Sequence, residues 1–329
     1  MARGPVRALT CHAMSLPRAR VFAPATVSNV GPGFDVLGFA LHRPGDIVEA
    51  EASETPGVAL AEVSGDDGSL PRDAARNSAG VAAAAVLARA GARAAYPGVR
   101  LWLRKGLPLA SGLGSSGASA AAAAAATNLV LGRCLEALDL VACAMEGERA
   151  ASGSSHADNV APSMLGGFVL IRSYHPLDLI RLPVPDGLFV AVVHPHHAVS
   201  TKAARALLRG RTFQLPDIVS NAGNLGALIT ALHQQDLALL GRSVADALVE
   251  PIRAALIPGF DRVRRDALDA GALGCSISGS GPTMFAFASS DAGAARVALA
   301  MRTAFRESAG LNSDAWTGPI SVDGAREVR

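Results

Sequence analysis

Alternating hydrophobic and polar positions predict strands along the chain, and hydrophobic positions at a helical spacing predict helices between them. From residue 99 to residue 104, hydrophobic side chains alternate with arginine or tryptophan, which is typical of a strand with one buried face. Leu135, Leu138 and Met145 lie on one side of a helix predicted over 135–150. Further strands are predicted at 21–23, 46–52, 168–171 and 189–193, and a further helix at 77–89.

The predicted strands come in groups and do not alternate strictly with helices. This order favours a two-domain α+β architecture over a doubly wound parallel sheet. The turn signal at Gly166 and Gly167 places the domain boundary near residue 173. We therefore expect a disordered N-terminal extension over 1–19, an N-terminal domain over 20–172 and a C-terminal domain over 173–329.

The composition is that of a globular, cytoplasmic protein that binds a small molecule. Half of the 329 residues are hydrophobic and 18% are charged, which excludes a disordered chain. The net charge of +2 is too small for the phosphate contacts that nucleic-acid binding needs. The two long uncharged stretches, 106–132 and 271–290, are interrupted by glycine and proline, so we expect no membrane span. The four cysteines form no C-x-x-C pair, so neither a disulfide framework nor a zinc site is indicated.

A glycine-rich loop precedes a run of seven alanines at 120–126 and carries the clearest chemistry in the sequence. Gly112 and Gly114 allow a sharp turn and a close approach to an anion, while Ser115 and Ser116 are expected to cap the helix that follows. The exposed amides at such a helix start form a phosphate site. A glycine and serine turn without a ligand remains an equal alternative for the loop alone. The spacing excludes a Walker loop and a Rossmann cofactor site.

Three segments resemble motifs of the GHMP kinases, the family that includes galactokinase and mevalonate kinase. The glycine-rich loop, which we call the phosphate loop, reads PLASGLGSS over 108–116 and is similar to the loop that binds phosphate in this family. Residues 23–38, APATVSNVGPGFDVLG, resemble the N-terminal motif, and residues 274–283, GCSISGSGPT, resemble the C-terminal glycine motif. Residues 148–162, 200–205 and 250–253 resemble the branch of the family that phosphorylates homoserine.

The resemblance covers nearly the whole chain and implies both a fold and an activity. The implied N-terminal domain is like the second domain of ribosomal protein S5, and the implied C-terminal domain is ferredoxin-like, with the active site between them. The implied reaction is the ATP-dependent, Mg²⁺-dependent phosphorylation of the hydroxyl of L-homoserine to O-phospho-L-homoserine, a step of threonine biosynthesis. A homodimer is expected by analogy alone.

The resemblance assigns the nucleotide and its metal to the phosphate loop and a few residues around it. The residues implied in ATP binding are Pro108, Gly112, Leu113, Gly114, Ser115, Ser116, Asn77 and Lys105. Mg²⁺ is expected between Ser116 and Glu148, because it prefers hard oxygen ligands and takes only one or two of them from protein. Apart from the resemblance, Glu148 is a charged residue late in a helix.

The acceptor is expected to be held by paired arginines. A guanidinium can clamp a carboxylate through two parallel hydrogen bonds, and Arg205 and Arg253 are the candidates. The residues that the resemblance implies at the amino and hydroxyl ends of the acceptor are Asn29, His156, and Asp158 or Asn159. Without their matching flanks, both arginines would be interpreted as solvated helix residues.

Asp35 and Thr201 are the candidates beside the reacting groups. By resemblance, Asp35 lies next to the attacking hydroxyl and Thr201 near the transferred phosphoryl group. We expect Asp35 to orient the hydroxyl more than to accept its proton, because no lysine partner is evident near it in the N-terminal motif. The structural alternative for Thr201 is an N-cap of the helix predicted over 202–208.

Two other functions remain as alternatives at this point. Another GHMP kinase, of the mevalonate or phosphomevalonate type, would share the phosphate loop but would bind an acceptor without an α-amino group. A non-catalytic ligand sensor of the same fold would bind a ligand without turnover, and the presence of Ser116, Glu148 and Asp35 argues against it.

Overall fold

The computed structural model describes residues 16–153 and 155–329. Residues 1–15, most of the predicted extension, lie outside the described residues, and the first strand already begins at Arg18. The strands are β1 (Arg18–Ser28), β2 (Leu37–Ser53), β3 (Gly57–Ser64), β4 (Gly98–Arg104), β5 (Phe168–Tyr174), β6 (Leu177–Leu182), β7 (Phe189–Pro195), β8 (Gly274–Ile277), β9 (Met284–Ala288), β10 (Ser313–Pro319) and β11 (Arg326–Glu327). The helices are α1 (Ser78–Ala90), α2 (Ser115–Val130), α3 (Ala137–Ser152), α4 (Ala157–Leu165), α5 (Thr201–Ala206), α6 (Leu215–Gln234), α7 (Leu237–Arg242), α8 (Glu250–Arg253), α9 (Phe260–Asp269) and α10 (Asp291–Ala309).

The first sheet has seven strands and one helical layer. Its order is β11-β1-β2-β4-β3, with β5 paired to the start of β2 and β6 paired to β5. The alternation predicted for 99–104 is confirmed, since Val99, Leu101 and Leu103 are buried in β4 while Arg100 and Arg104 are exposed. This face of the sheet packs against α1, α2 and α4. The described part of the chain contains no helix long and apolar enough to cross a membrane.

Helix α2 lies at the centre of the helical layer because its side chains are small. Twelve of its sixteen residues are buried, and most of these are alanines. It contacts the neighbouring helices α1, α3 and α4 as well as strands β1 and β2. An alanine helix can approach its neighbours closely and has the highest intrinsic helix propensity. Packing along the whole helix therefore fixes the position of the α2 N-terminus.

The second sheet is antiparallel, with the order β10-β7-β9-β8. One of its faces packs against α9 and α10 around Val193, Met284, Val297 and Phe305, and the other faces the first sheet. The grouped order of strands confirms the predicted α+β class. The change of sheet falls between Leu182 and Phe189, after the predicted boundary at 172, because β6 forms a hairpin with β5. The end of the chain also returns to the first sheet through β11.

Four phenylalanines join the two sheets. Phe39 of β2 and Phe168 of β5 have ring centroids 4.9 Å apart, and Phe39 also lies 5.8 Å from Phe285 and 5.5 Å from Phe287 of β9. All four side chains are fully buried. Aromatic rings at these separations add directional attraction to the burial of apolar area. Phe39 is therefore the central contact between the two halves of the molecule.

We expect Phe39→Ala to lower the free energy of unfolding by about 3–5 kcal/mol, because it leaves a cavity at this junction. Chemical denaturation at equilibrium measures the loss. Leu299→Ala is a suitable control because the Leu299 side chain is 65% exposed, and it should change stability by less than about 0.5 kcal/mol. Equal effects of the two substitutions would show that the junction does not stabilise the fold.

Candidate active site

The main cavity of the described structure has a volume of about 1040 Å³ and lies between the N-terminal motif, the phosphate loop and the C-terminal glycine motif. Fifteen predicted site residues line it: Asn29, Asp35, Asn77, Lys105, Gly112, Gly114, Ser115, Ser116, Glu148, His156, Asp158, Asn159, Thr201, Arg205 and Arg253. Pro108 and Leu113 are not among the residues that line the cavity. The carbonyl of Pro108 accepts a hydrogen bond from Ser111 Oγ (2.9 Å), and Leu113 is fully buried in the core.

The start of α2 differs from the prediction in its cap. Gly114, with φ +66°, is the N-cap, and Ser115 is already the first helical residue, so neither predicted serine caps the helix. Among the described residues, no side chain accepts from the first amides of α2, and the buried Ser115 Oγ has no hydrogen-bond partner. A Cβ at Gly114 would lie 2.2 Å from Thr26 Oγ1, so only glycine fits there. The first amides of the helix therefore stay available to an anion.

The C-terminal glycine motif packs directly against the phosphate loop. Ser278 Oγ donates to the carbonyl of Gly112 (2.7 Å), and the Gly279 amide donates to the carbonyl of Ser28 (3.1 Å) in the N-terminal motif. Gly112 has φ +80°, and a Cβ there would lie 2.5 Å from the Ser278 carbonyl oxygen. The three motifs therefore form one interlocked unit, and part of their glycine content serves this packing.

Lys105 and Asn77 line the cavity, but the polar atoms of their side chains form hydrogen bonds and an ion pair with other residues of the protein. Lys105 Nζ forms a buried ion pair with Asp46 and donates to the Ser115 carbonyl (2.9 Å). Asn77 caps α1, since its Oδ1 accepts from the Ala79 amide (3.0 Å). The prediction had placed both residues near the nucleotide, and the structure places Lys105 directly under the start of α2.

Asp35 has a cationic partner that the sequence did not reveal. Arg205 of α5 donates from Nη2 to Oδ1 (2.8 Å) and from Nη1 to Oδ2 (3.0 Å) of Asp35, and its Nη2 also contacts His156 Nε2. The N-terminal motif contains no lysine, and the cationic partner of Asp35 is an arginine 170 positions later in the chain.

The two predicted arginines lie together over one aromatic ring. The guanidinium carbons of Arg205 and Arg253 are 5.5 and 5.0 Å from the centroid of the Phe34 ring. Arg253 is 3% exposed, and burial together with the charge of Arg205 lowers its pKa. Within the described part of the chain, Nε of each arginine is buried and donates no hydrogen bond. Asp35 pairs with Arg205, whereas Arg253 donates to the uncharged carbonyl of Gly279 (2.8 Å), so two neighbouring cations with incomplete compensation favour the binding of an anion.

Asn29 and Tyr174 hold the backbone of Asp35. Asn29 Oδ1 accepts from the Asp35 amide (3.1 Å), and the Tyr174 hydroxyl donates to the Asp35 carbonyl (2.8 Å). Asp35 has φ +59°, a conformation that costs free energy in a residue other than glycine. Asn29 also donates from Nδ2 to the carbonyl of Gly279 (2.7 Å). Its side-chain amide therefore lines the cavity and also connects the N-terminal motif to the C-terminal glycine motif.

Helix α4 brings three predicted residues to the cavity, and they differ in what they can do. Asn159 connects α4 to β1, because its Nδ2 donates to Ser28 Oγ (3.0 Å) and its Oδ1 accepts from Thr26 Oγ1 (2.9 Å). Burial, followed by the charge of Arg205, lowers the pKa of His156 and favours its neutral form. Asp158 is 2% exposed, and its Oδ1 has no hydrogen-bond partner among the described residues.

Asp158 is a buried acid whose pKa is raised above its usual range. Burial raises its pKa to about 7, and the carboxylates of Asp35 and Glu148 add to the shift. A buried carboxyl beside other carboxylates loses its proton with difficulty unless a cation arrives. The site can therefore accept a positive group at this position.

Thr201 and the predicted metal ligands also lie at the cavity. Thr201 Oγ1 is 3.2 Å from Ser280 Oγ, and Ser200 caps α5, so the N-cap alternative for Thr201 was wrong. Glu148, on α3, is 5% exposed and lines the same cavity as Ser116. In the described ranges, no three His, Cys, Asp or Glu residues cluster as a metal site. The oxygen donors present fit a hard cation that takes few ligands from protein.

Comparison with known proteins agrees with this geometry. Residues 77–167 match the GHMP kinases N terminal domain, and residues 228–307 match the GHMP kinases C terminal domain. The chain is 49% identical to a homoserine kinase of Chlorobium phaeobacteroides over 93% of this chain and 98% of that protein. The chain belongs to the homoserine kinases of the GHMP kinase family. A homoserine kinase of Xylella fastidiosa is 40% identical over 94% of each chain.

Solved structures confirm the two-domain GHMP kinase fold. The crystal structure of homoserine kinase from Cytophaga hutchinsonii has a TM-score of 0.90 and 46% identity, and it covers 97% of this chain and 100% of that one. Mevalonate kinase from L. major, solved with R-mevalonate, has a TM-score of 0.71 at 15% identity and covers 95% and 98% of the two chains. At that identity the likeness shows the GHMP kinase fold alone.

Several residues at the site were not predicted. Phe34 lies inside the quoted N-terminal motif, so its position next to Asp35 was a usable signal. Tyr174 lies beyond the predicted boundary, and Asp46 and Ser119 carry no motif. Their roles depend on strand register and helix packing, which a single sequence does not reveal.

We expect the stability that Asp158 contributes to decrease as pH rises. Its pKa is raised in the folded protein, so the contribution is complete below about pH 4, where the unfolded chain is also protonated, and is lost as pH rises to about 7. The unfolding free energy of the wild type, minus that of Asp158→Asn, should fall by up to about 1.4 kcal/mol per pH unit between pH 5 and 7.

Urea denaturation at pH 5, 6, 7 and 8 measures this difference. Asp139→Asn, which changes a half-exposed carboxyl on α3, is the control. A difference between wild type and Asp158→Asn that stays constant across this range would contradict the raised pKa of Asp158.

Proposed function

We propose that this protein transfers the γ-phosphoryl group of ATP to the hydroxyl of L-homoserine. The observation that carries the proposal is one cavity with two different anion sites. One is the uncapped start of α2, and the other is the pair formed by the half-buried Arg205 and the buried Arg253, which lie together over Phe34. Phosphoryl transfer depends mainly on positioning and on neutralising charge, and both sites supply these.

The nucleotide binds with its polyphosphate at the start of α2. The amides of Ser115, Ser116 and Gly117 donate to phosphate oxygens there, and the dipole of the long, buried helix adds a positive potential. Ser116 and Glu148, which both line the cavity, would hold Mg²⁺. When bound, this ion neutralises charge on the phosphate oxygens.

The acceptor binds through its carboxylate at Arg205 and Arg253, which both line the cavity. A carboxylate beside the two guanidinium groups accepts charged hydrogen bonds and relieves the repulsion that lowers the pKa of Arg253. The acceptor's ammonium group lies toward Asp158, whose unpartnered Oδ1 can accept a hydrogen bond from it. An α-amino acid carries both a carboxylate for the two arginines and an ammonium group for Asp158.

Asp35 orients the acceptor hydroxyl and is not the main proton acceptor. Both of its carboxylate oxygens already accept hydrogen bonds from Arg205, and Asn29 and Tyr174 fix its backbone. A carboxylate held in this way is a rigid hydrogen-bond acceptor. Thr201, at the start of α5, lies near the transferred phosphoryl group.

We expect the purified protein to release ADP from Mg-ATP with L-homoserine and to give only background release with shikimate or mevalonate, which both lack an α-amino group. The preference in kcat/KM should be at least about 100-fold, because a site built to pair an ammonium and a carboxylate leaves buried groups unpaired with the wrong acceptor. A coupled assay of ADP release measures it. Faster turnover of mevalonate would favour the other branch of the family, and binding without turnover would favour the sensor.

Arg253→Leu extends this test to the proposed carboxylate site. The KM for L-homoserine should rise about 10- to 100-fold, and the KM for ATP should change less than about twofold, because charged hydrogen bonds contribute about 1.5–3 kcal/mol. Arg209→Leu, which changes an exposed arginine outside the cavity, is the matched control. An unchanged KM for homoserine in a folded Arg253→Leu protein would remove Arg253 from the acceptor site.

A further inference from the structure

A buried polar cluster lies directly beneath the start of α2. We propose that two of its members, Asp46 and Ser119, are positioning residues for the ATP polyphosphate, which they serve by holding Lys105 and the first turn of α2 in place. This inference rests on the proposed function, since it concerns the same nucleotide. Neither residue belongs to any of the three glycine-rich motifs.

The cluster links three elements through short hydrogen bonds. Asp46 of β2 pairs with Lys105 Nζ at the end of β4 and accepts from Ser119 Oγ (2.7 Å) in α2. Lys105 Nζ also donates to Ser119 Oγ (2.8 Å) and to the carbonyl of Ser115 (2.9 Å). The other oxygen of Asp46 accepts from the Gly106 amide (2.9 Å). The first turn of α2 is thus fastened to both strands.

Burial strengthens the ion pair and the hydrogen bonds of this cluster. The side chains of Asp46 and Lys105 are 0% and 1% exposed, and Ser119 is 1% exposed. Charges in such a place interact strongly with each other, and removing one partner leaves the other unpaired. A displacement of the first turn of α2 would have to break several of these bonds together.

The ion pair has a fixed direction relative to the cavity. Lys105 and Ser119 line the cavity, whereas Asp46 is not among the lining residues. Lys105 Nζ also donates to the Ser115 carbonyl, so the positive end of the pair lies against the first turn of α2, where the polyphosphate is proposed to bind. Dipoles that are held in place before the ligand arrives need no reorganisation when it binds.

The presence of serine at position 119 supports a role for these hydrogen bonds. Ser119 stands among alanines at 118 and 120–126, and alanine has the higher helix propensity. Serine at this buried position makes the helix locally less stable than alanine would. Its hydroxyl forms hydrogen bonds with Asp46, Lys105 and the Ser115 carbonyl. Ser119→Ala therefore removes the link while keeping the helix.

The test compares Ser119→Ala with Ser163→Ala. Ser163 is also a fully buried helical serine, and its Oγ donates to the Pro24 carbonyl (2.8 Å) away from the cavity lining. For Ser119→Ala we expect the Kd of a nonhydrolysable Mg-ATP analogue and the KM for ATP to rise about 3- to 10-fold, with the KM for L-homoserine within about twofold of wild type. Ser163→Ala should leave all three constants unchanged.

A folded Ser119→Ala protein that binds the analogue as tightly as wild type would overturn the inference. An equal rise in the constants for ATP and homoserine would also overturn it, because that result indicates a general loss of structure. If Ser119→Ala does not fold, Asp46→Asn decides, with an expected rise of about 10- to 100-fold in the Kd of the analogue. A wild type that binds the analogue but does not phosphorylate homoserine contradicts the proposed function and leaves this comparison intact.

Discussion

The site depends on the fixed position of the α2 N-terminus between the two sheets. The helix is held along its length by close packing of alanines, and at its start by the interlocked glycine motifs. Gly112 and Gly114 are required there because a side chain would collide with the Ser278 carbonyl and with Thr26. Since the second sheet supplies the C-terminal glycine motif, the phosphate loop has its shape only when both halves of the molecule are docked.

The proposed acceptor site depends on a different feature, which is positive charge that the neighbouring protein groups compensate only in part. Arg205 and Arg253 come from α5 and α8 and meet over Phe34, and each keeps a buried Nε without a partner in the described structure. Asp35 compensates one of the two charges. The remaining positive potential favours a carboxylate, and Asp158 is the proposed acceptor for an ammonium group. A ligand that satisfies both proposals is a zwitterion, whereas a general phosphate-binding cavity would need no such acid.

The sequence predicts the parts of this arrangement that depend on local patterns. The alternation in β4, the alanine helix and the glycine-rich motifs are each readable within about twenty residues, and the family resemblance predicts that the motifs meet at one site. The pairs Asp35 with Arg205 and Asp46 with Lys105 join positions 170 and 59 residues apart. Such pairs depend on strand register and on the docking of the two sheets, and neither leaves a local pattern.

The most direct measurement is a crystal structure of the protein with Mg²⁺ and a nonhydrolysable ATP analogue. The account predicts phosphate oxygens within hydrogen-bond distance of the backbone amides of Ser115, Ser116 and Gly117, above the Lys105 ammonium. A polyphosphate bound in another part of the molecule, with the start of α2 covered by protein, would contradict it.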